Sequence, residues 1–353
     1  MGQKNIRIFS SKSKRKRKII LEENLSYKGA LNYELKMVDT EAKVYSVMEK
    51  HKNDNTRIAY SGGSDSDCLM HLFKNLGYNI PGVFYDTGLE YQATKNHLDY
   101  MRSQGFTIEV AKPKHLIPYA LKNYGFPFIS KNASELLHRL HRNNFKFKED
   151  GNKTYEELII LYPRAKGALS WWANWNGPTD KFNISRNRGL KEYLIENDGL
   201  PFNTSVKCCD FTKKDVMRDY SKEHDIDLVI TGIRKAEGGR RATKIVNCYL
   251  PEKYSPYAMY FPLFWWSDAD KKRFIEENNI KLSDCYTVYG MHRTGCVGCP
   301  FGRKLNEELE ILEKYEPKLH KVATTIFAKT YDATKDYRKF VKEKLPLDKN
   351  KKV

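Results

Sequence analysis

Apolar residues recur at helical spacing through residues 34–51, after which the pattern shortens to a β-type run, TRIAY at 56–60. A Gly-Ser cluster follows at 61–66, and the next apolar residues return to helical spacing up to about Leu76. The cycle then repeats, with a strand around 83–85, polar residues 86–90, a helix to about Gln104 and a strand at 106–110. A helix near 212–224 leads into a continuous apolar run at 225–231, which reads as a buried strand. Strand, loop and helix in repeated alternation predict parallel βαβ units, and hence an α/β fold with a doubly wound parallel sheet.

Residues 113–205 break this alternation. They hold a Tyr-Gly-Phe-Pro turn at 124–127, a basic stretch at 137–148 and Trp171, Trp172 and Trp175, and they read as a helical insertion. The one-turn spacing of Trp171 and Trp175 predicts a packing stripe. A helix is expected at 268–279, then an irregular stretch into Cys296. Leu305, Leu309, Leu312 and Tyr315 predict a C-terminal helix ahead of a basic tail.

Charge divides the chain unevenly. The formal net charge is +18, of which residues 1–20 supply +8 with no acidic residue and residues 341–353 supply +3. This predicts a disordered basic arm at 1–20, a folded body, and a C-terminal helix and basic tail at 304–353. Clustered Lys and Arg suit a polyanion such as nucleic acid, because contact with phosphates releases counterions. No apolar run is long enough to span a membrane and no apolar segment follows the basic start, so a cytoplasmic protein is expected.

Two elements carry candidate chemistry. Ser61, Gly62, Gly63, Ser64, Asp65 and Ser66 stand between a strand and a helix, where glycines allow close backbone approach and helix N–H groups face an anion. Asp65 is placed to position Mg²⁺ on a polyphosphate. Among seven cysteines, Cys208 and Cys209 are adjacent and Cys296 and Cys299 are two residues apart. Close pairs of soft thiolates point to a metal or iron–sulfur site rather than to disulfides. Zinc has the same ligand chemistry, although adjacent cysteines are unusual for it. Cys68 reads as a buried thiol, and Cys248 and Cys285 as core or incidental residues.

The segment Tyr60-Ser61-Gly62-Gly63-Ser64-Asp65-Ser66 resembles the SGGxDS PP-loop of ATP pyrophosphatases. Residues 84–90 (FYDTGLE) and 231–241 (TGIRKAEGGRR) are similar to motifs of the phosphoadenosine phosphosulfate (PAPS) reductase-like branch. The cysteine pairs resemble those that hold a 4Fe-4S cluster in adenylylsulfate (APS) reductases. The resemblance covers about residues 55–303 and implies a Rossmann-like PP-loop domain at 21–303 with an insertion at about 113–205 and a cysteine-rich C-terminal part. It further implies that Ser61 to Ser66 and Gly232 bind ATP and that Asp65 orients Mg²⁺. Asp86 and Glu90 would lie near the ribose or metal, their alternative role being charge compensation at a helix start. Arg234 and Arg241 would clamp an anion, with Arg240 as a substitute for Arg241, and Gly238 stands where the family pattern has Ser. Cys208, Cys209, Cys296 and Cys299 would hold the cluster.

Two departures shape the expected activity. No cysteine follows Cys299, whereas the reductases use a nucleophilic cysteine near their C-terminus. The PP-loop is complete, whereas theirs is degenerate. Both favour an enzyme that adenylates an anionic acceptor and supports sulfur transfer, as in DNA phosphorothioation or tRNA thiolation, with nucleic acid held by the basic termini and sulfur drawn from a donor such as a cysteine desulfurase. The alternatives are a PAPS or APS reductase using an external thiol and a non-catalytic nucleic-acid-binding scaffold.

Overall fold

The computed structural model describes residues 32–177, 183–238, 245–302 and 304–345. The basic arm, most of the C-terminal tail and Arg240 and Arg241 lie outside the described residues. The chain divides into two compact units. One comprises Met1–Val83, Arg102–Glu109 and His224–Leu282, and the other comprises Phe84–Met101, Val110–Glu223 and Ser283–Val353.

The strands of the sheet are β1 (Thr56–Tyr60), β2 (Gly82–Tyr85), β3 (Ile108–Ala111), β4 (Leu228–Ile230), β5 (Tyr249–Leu250) and β6 (Ala258–Tyr260), in the spatial order β3-β2-β1-β4-β6-β5. β1, β4, β5 and β6 lie in the first unit, which also holds the opening residues of β2 and β3. β1 pairs parallel with β4 and β4 with β6, while β5 runs antiparallel at the edge. The α/β class is as the alternation predicts. β5 and β6 are additions, because runs of two and three residues are too short to show a period.

Burial explains which residues make these strands. β1 buries Thr56, Ile58 and Tyr60 alternately, and the central β4 is buried throughout. The helix Tyr33–Lys50 turns Thr40, Val44 and Met48 inward at four-residue intervals. The indole of Trp266 donates to the Thr40 hydroxyl at 3.1 Å, so the buried ring keeps its polar group satisfied. The chain leaves β1 toward β2 and β3 on one side and returns through β4 on the other. β1 and β4 therefore flank the switch point of the sheet, where open parallel sheets bind ligands at the strands' carboxyl ends.

The second unit is largely helical. The described residues of 113–205 are largely helical, with Leu137, Leu140, Leu158, Leu169, Trp172 and Leu194 in one core. Trp171 and Trp172 are buried, and the Trp172 indole donates to the Gly151 carbonyl at 3.0 Å. Trp175 leaves the stripe, being 53% exposed and stacked on Tyr155. Where one C-terminal helix was expected there are three, Leu305–Tyr315, Pro317–Ile326 and Ala328–Lys344, the first break coinciding with Pro317. The last of them returns Ala333, Tyr337 and Phe340 to the core of the insertion.

This core contains a titratable residue, His141, whose ring stands edge-on to Phe147 at 5.4 Å. Its Nδ1 has no hydrogen-bond partner among the described residues. Burial, with a smaller contribution from His138, holds the imidazole down to about 4. A depressed histidine supports the fold above its unfolded value, and that support is lost as pH falls from about 6.5 through 4. His141→Phe is therefore expected to remove about 2–3 kcal/mol of acid-side destabilisation, read from urea unfolding between pH 7 and pH 4.

Candidate functional site

In the first unit the Gly-Ser loop leaves β1 and turns into the helix Ser64–Asn75. Gly62 takes φ +68°, which a side chain would strain. Ser66 ties the loop together, because its Oγ lies 3.3 Å from the Ser61 N–H and 3.2 Å from the Gly63 N–H, which donate to it. The same hydroxyl donates to the Gly63 carbonyl at 2.7 Å. The Ser66 and Asp67 N–H groups donate to the Gly63 carbonyl at 2.9 and 3.0 Å, so the loop is held at the positive end of the helix, the arrangement that suits an anion.

Gly232, just beyond β4, lets the backbone pass close to this loop. A Cβ added there would lie 3.1 Å from Asp65 backbone and side-chain atoms. The next elements bring charge. Arg234 is 3% exposed, and its Nε lies 2.5 Å from Asp65 Oδ1. Its Nη2 is 2.8 Å from Asp268 Oδ1 and its Nη1 donates to the Trp266 carbonyl at 3.4 Å. Burial works against the guanidinium charge, but Asp65 and Asp268 outweigh it and hold Arg234 above its ordinary range. The guanidinium is thus occupied by two carboxylates and braces Asp65, rather than standing open to a phosphate.

Lys271 carries no motif and was not singled out from the sequence. It comes from the helix Asp268–Glu277 and places Nζ 3.1 Å from Ser64 Oγ and 3.4 Å from Asp65 Oδ1. This puts a cation at the mouth of the loop. Its only sequence signal is the helical register with Asp268, which becomes informative once Asp268 is known to meet Arg234.

In the second unit, residues 86–90 and the two cysteine pairs meet. The helix after this loop begins at Gln92 and has no acid in its first turn. Its N–H groups at Gln92 and Ala93 are capped instead by the Glu316 carboxylate, at 2.9 and 3.2 Å. The helix-start role weighed for Asp86 and Glu90 therefore belongs to Glu316. Asp86 accepts from the Gly88 N–H at 2.9 Å and shapes the turn. Glu90 is buried and accepts from the Thr87 hydroxyl at 2.5 Å. Burial raises its carboxyl, opposed by the Thr87 hydrogen bonds and by Lys213.

The loop between Cys296 and Cys299 docks on this segment. The Val297 N–H donates to the Leu89 carbonyl at 2.8 Å. Gly298 at φ +60° allows the turn, since a Cβ there would lie 2.7 Å from both Ala323 Cβ and the Tyr331 hydroxyl. Cys208 and Cys209 open a helix interrupted by a π-turn at Asp210–Lys214. Cys208, Cys209 and Cys296 share one apolar cluster with Leu89, Tyr91 and Val297, and the Cys299 N–H donates to the Cys296 carbonyl at 3.2 Å.

Their ionisation is mutually coupled. A hydrogen bond from Cys208 holds Cys209 below the ordinary thiol range despite burial, with help from Lys131 and Lys213. Cys208 moves up correspondingly. Burial raises Cys296, and together with Cys296 it pushes Cys299 up to about 12. Lys213 is reached by solvent, yet its ammonium is surrounded by protein. Desolvation opposes its charge, and Cys296, Glu90, Cys209 and Cys299 more than offset this. The seven cysteines are free thiols. Among the described residues no three Cys, His, Asp or Glu side chains are drawn together as metal ligands. The donor set itself has the chemistry of a soft-metal or cluster site, being four thiols with Lys213 as an adjacent cation. Cys68 and Cys285 are fully buried outside this set.

Solved structures that match the chain include a phosphoadenylyl-sulfate (PAPS) reductase from Candida auris in a phosphate complex, with a TM-score of 0.41 and 14% identity over 78% of this chain and 93% of that one. An FMN adenylyltransferase from Candida glabrata has a TM-score of 0.42 and 12% identity over 79% and 70%. The U34-tRNA thiolase NcsA from Methanococcus maripaludis, with its 4Fe-4S cluster, has a TM-score of 0.33 and 12% identity over 88% and 81%. Two uncharacterized proteins of Methanocaldococcus jannaschii are 24% and 23% identical to it over 82% and 84% of this chain, covering 44% and 54% of their own lengths. The chain thus spans about half the length of the curated relatives it matches. Among the described residues no helix is long and apolar enough to cross a membrane. The phosphoadenosine phosphosulfate reductase domain model matches residues 55–146 and 181–301, more than half of the sequence, and both the PP-loop and the cysteine pairs fall inside the match. The chain belongs to the phosphoadenosine phosphosulfate reductase domain family.

Proposed function

We propose that this protein is an ATP pyrophosphatase that adenylates an anionic acceptor, a nucleic acid, in support of sulfur transfer. The observation that carries the reading is the complete loop of Ser61 to Ser66, closed on itself by the Ser66 hydroxyl at a helix N-terminus. In this reading the loop and Gly232 receive the phosphates of ATP. Lys271 contributes charge at Ser64, and Asp65, aligned by Arg234, orients Mg²⁺. An acceptor oxygen attacks the α-phosphorus, pyrophosphate leaves, and the acceptor becomes an adenylate. A sulfur nucleophile at the oxidation level of sulfide then displaces AMP, with no net redox change.

Cys208, Cys209, Cys296 and Cys299 would hold an iron–sulfur cluster, with zinc as the alternative metal. When bound, such a cluster supplies sulfur at the sulfide level. Lys213 would balance the charge of the thiolates, and Glu90 and Thr87 would keep the Cys296 loop in register. Sulfur carried as a persulfide from a cysteine desulfurase would be released as sulfide by a reducing thiol, which ends as a disulfide, and this supply and the basic arm's role in holding nucleic acid belong to the same proposal.

Incubation with α-phosphate-labelled ATP, Mg²⁺ and single- or double-stranded DNA or RNA is expected to yield AMP and pyrophosphate. Ser66→Ala is expected to lower that yield about 100-fold, since it removes the group that shapes the anion site. No AMP with any of these acceptors, or full activity in the variant, would overturn the reading. Family membership favours one other activity, reduction of PAPS or APS with an external thiol. Sulfite release from those nucleotides would identify it.

A further inference from the structure

A cluster of aromatic side chains on the surface of the second unit takes no part in the chemistry above. The helix Ile117–Tyr124, the residues just before it and the π-turn after the cysteine pair bring together His115, Tyr119, Tyr124 and Phe211. His115 and Tyr119 stack face to face, 4.1 Å apart at 13°. Phe211 stands edge-on to His115 at 5.6 Å and to Tyr124 at 5.2 Å. Rings that pack this way are usually hidden, yet here the outer ones face solvent, with Tyr119 42% and Tyr124 40% exposed.

Two further features make this more than a scatter of exposed rings. Phe211 lies two residues after Cys209, and its inner edge packs against the apolar cluster that contains Cys208 and Cys209. The π-turn Asp210–Lys214 inserts one extra residue into this helix, a distortion frequent at functional sites. The rim carries lysines. Lys207 Nζ lies 5.8 Å from the Phe211 ring and 3.6 Å from Asp210, Lys114 pairs with Asp219 at 3.0 Å, and Lys112 and Lys122 are exposed on the chain that carries His115, Tyr119 and Tyr124.

We propose that His115, Tyr119, Tyr124 and Phe211 form a stacking platform for an unpaired base of a single-stranded nucleic acid, with the surrounding lysines on its phosphates. Flat rings accept any base face, and lysines add sequence-independent attraction to the backbone. A base in a duplex has both faces covered, so the platform selects single-stranded or locally unpaired segments. The inference rests on the nucleic-acid reading of the acceptor and adds which form of it the protein holds.

The test compares the full chain with Tyr119→Ala/Tyr124→Ala and Tyr119→Phe/Tyr124→Phe variants. Binding of a fluorescent single-stranded oligonucleotide is measured against an abasic oligonucleotide of the same length. The wild-type and Phe variants are expected to prefer the base-bearing strand about tenfold, and the Ala variant to lose that preference while keeping residual salt-dependent binding. AMP formation from ATP without acceptor should be the same in all three. Equal wild-type affinity for the two strands, or a preference that survives in the Ala variant, would overturn the platform. An Ala variant that keeps the preference but loses self-association or a protein contact would assign the surface to a protein partner, and would overturn it equally. Base preference without any ATP cleavage would leave the platform standing and sink the adenylation reading.

Discussion

Arg234→Ala is expected to destabilise the protein by about 3 kcal/mol and to abolish ATP binding. The guanidinium is nearly fully buried between Asp65 and Asp268 and also donates to the Trp266 carbonyl. Removing one partner of such a pair leaves the other without compensation, which costs about 3–5 kcal/mol when both are buried. The lower figure applies because Asp268 is largely exposed and only Asp65 is sheltered. Lys271, 3.4 Å from Asp65, cannot replace the fork of the guanidinium but moderates the loss. Denaturant unfolding measures the stability, and calorimetry with ATP and Mg²⁺ measures the binding. Arg234→Lys separates the two effects, since it retains charge without the bidentate geometry. A fully stable variant with weak nucleotide binding would mean that Arg234 touches the anion directly.

Gly125→Ala is expected to cost about 4 kcal/mol, a large share of the stability of an ordinary domain. Gly125 has φ +103°, and a Cβ there would lie 2.0 Å from the Asn203 carbonyl oxygen. That oxygen accepts from the Phe126 N–H at 2.8 Å, and the Ser205 N–H donates to the Phe126 carbonyl at 2.9 Å. The contact belongs to backbone on both sides, so no rotamer change relieves it. This short parallel pairing immediately precedes Cys208 and Cys209. The variant should therefore lose the cysteine site together with its stability, seen as a fall in bound iron or zinc in protein purified without oxygen. Asn203→Ala, which keeps the backbone, should leave the metal content unchanged.

Much of the fold was legible because its signals are local. The apolar run of β1, the Gly-Ser cluster and the helix after it follow one another without interruption, and local steric rules are enough to read a strand, a phosphate-type turn and a helix. The close cysteine pairs are likewise visible in their spacing alone. Two- and three-residue strands such as β5 and β6 carry no period, and their existence depends on the neighbour that supplies their hydrogen bonds.

The residues misread were those whose role depends on a partner far along the chain. Arg234 reads as an anion clamp until Asp65, 169 residues away, is seen to occupy it. Asp86 and Glu90 read either as residues near a ribose or metal or as helix-start charges, and only the second reading is removed by Glu316 on the N–H groups they would have served. Lys271 has no motif at all, and Tyr119, Tyr124 and Phe211 are separate aromatic residues in sequence that become one surface in space. The amino-acid sequence by itself determined the βαβ framework, the phosphate-type loop and a four-thiol inventory, because backbone sterics, periodicity and ligand chemistry act over a few residues. Only the tertiary structure decided which charges neutralise each other and which rings remain exposed, because pairing and desolvation depend on distances that close when the chain packs.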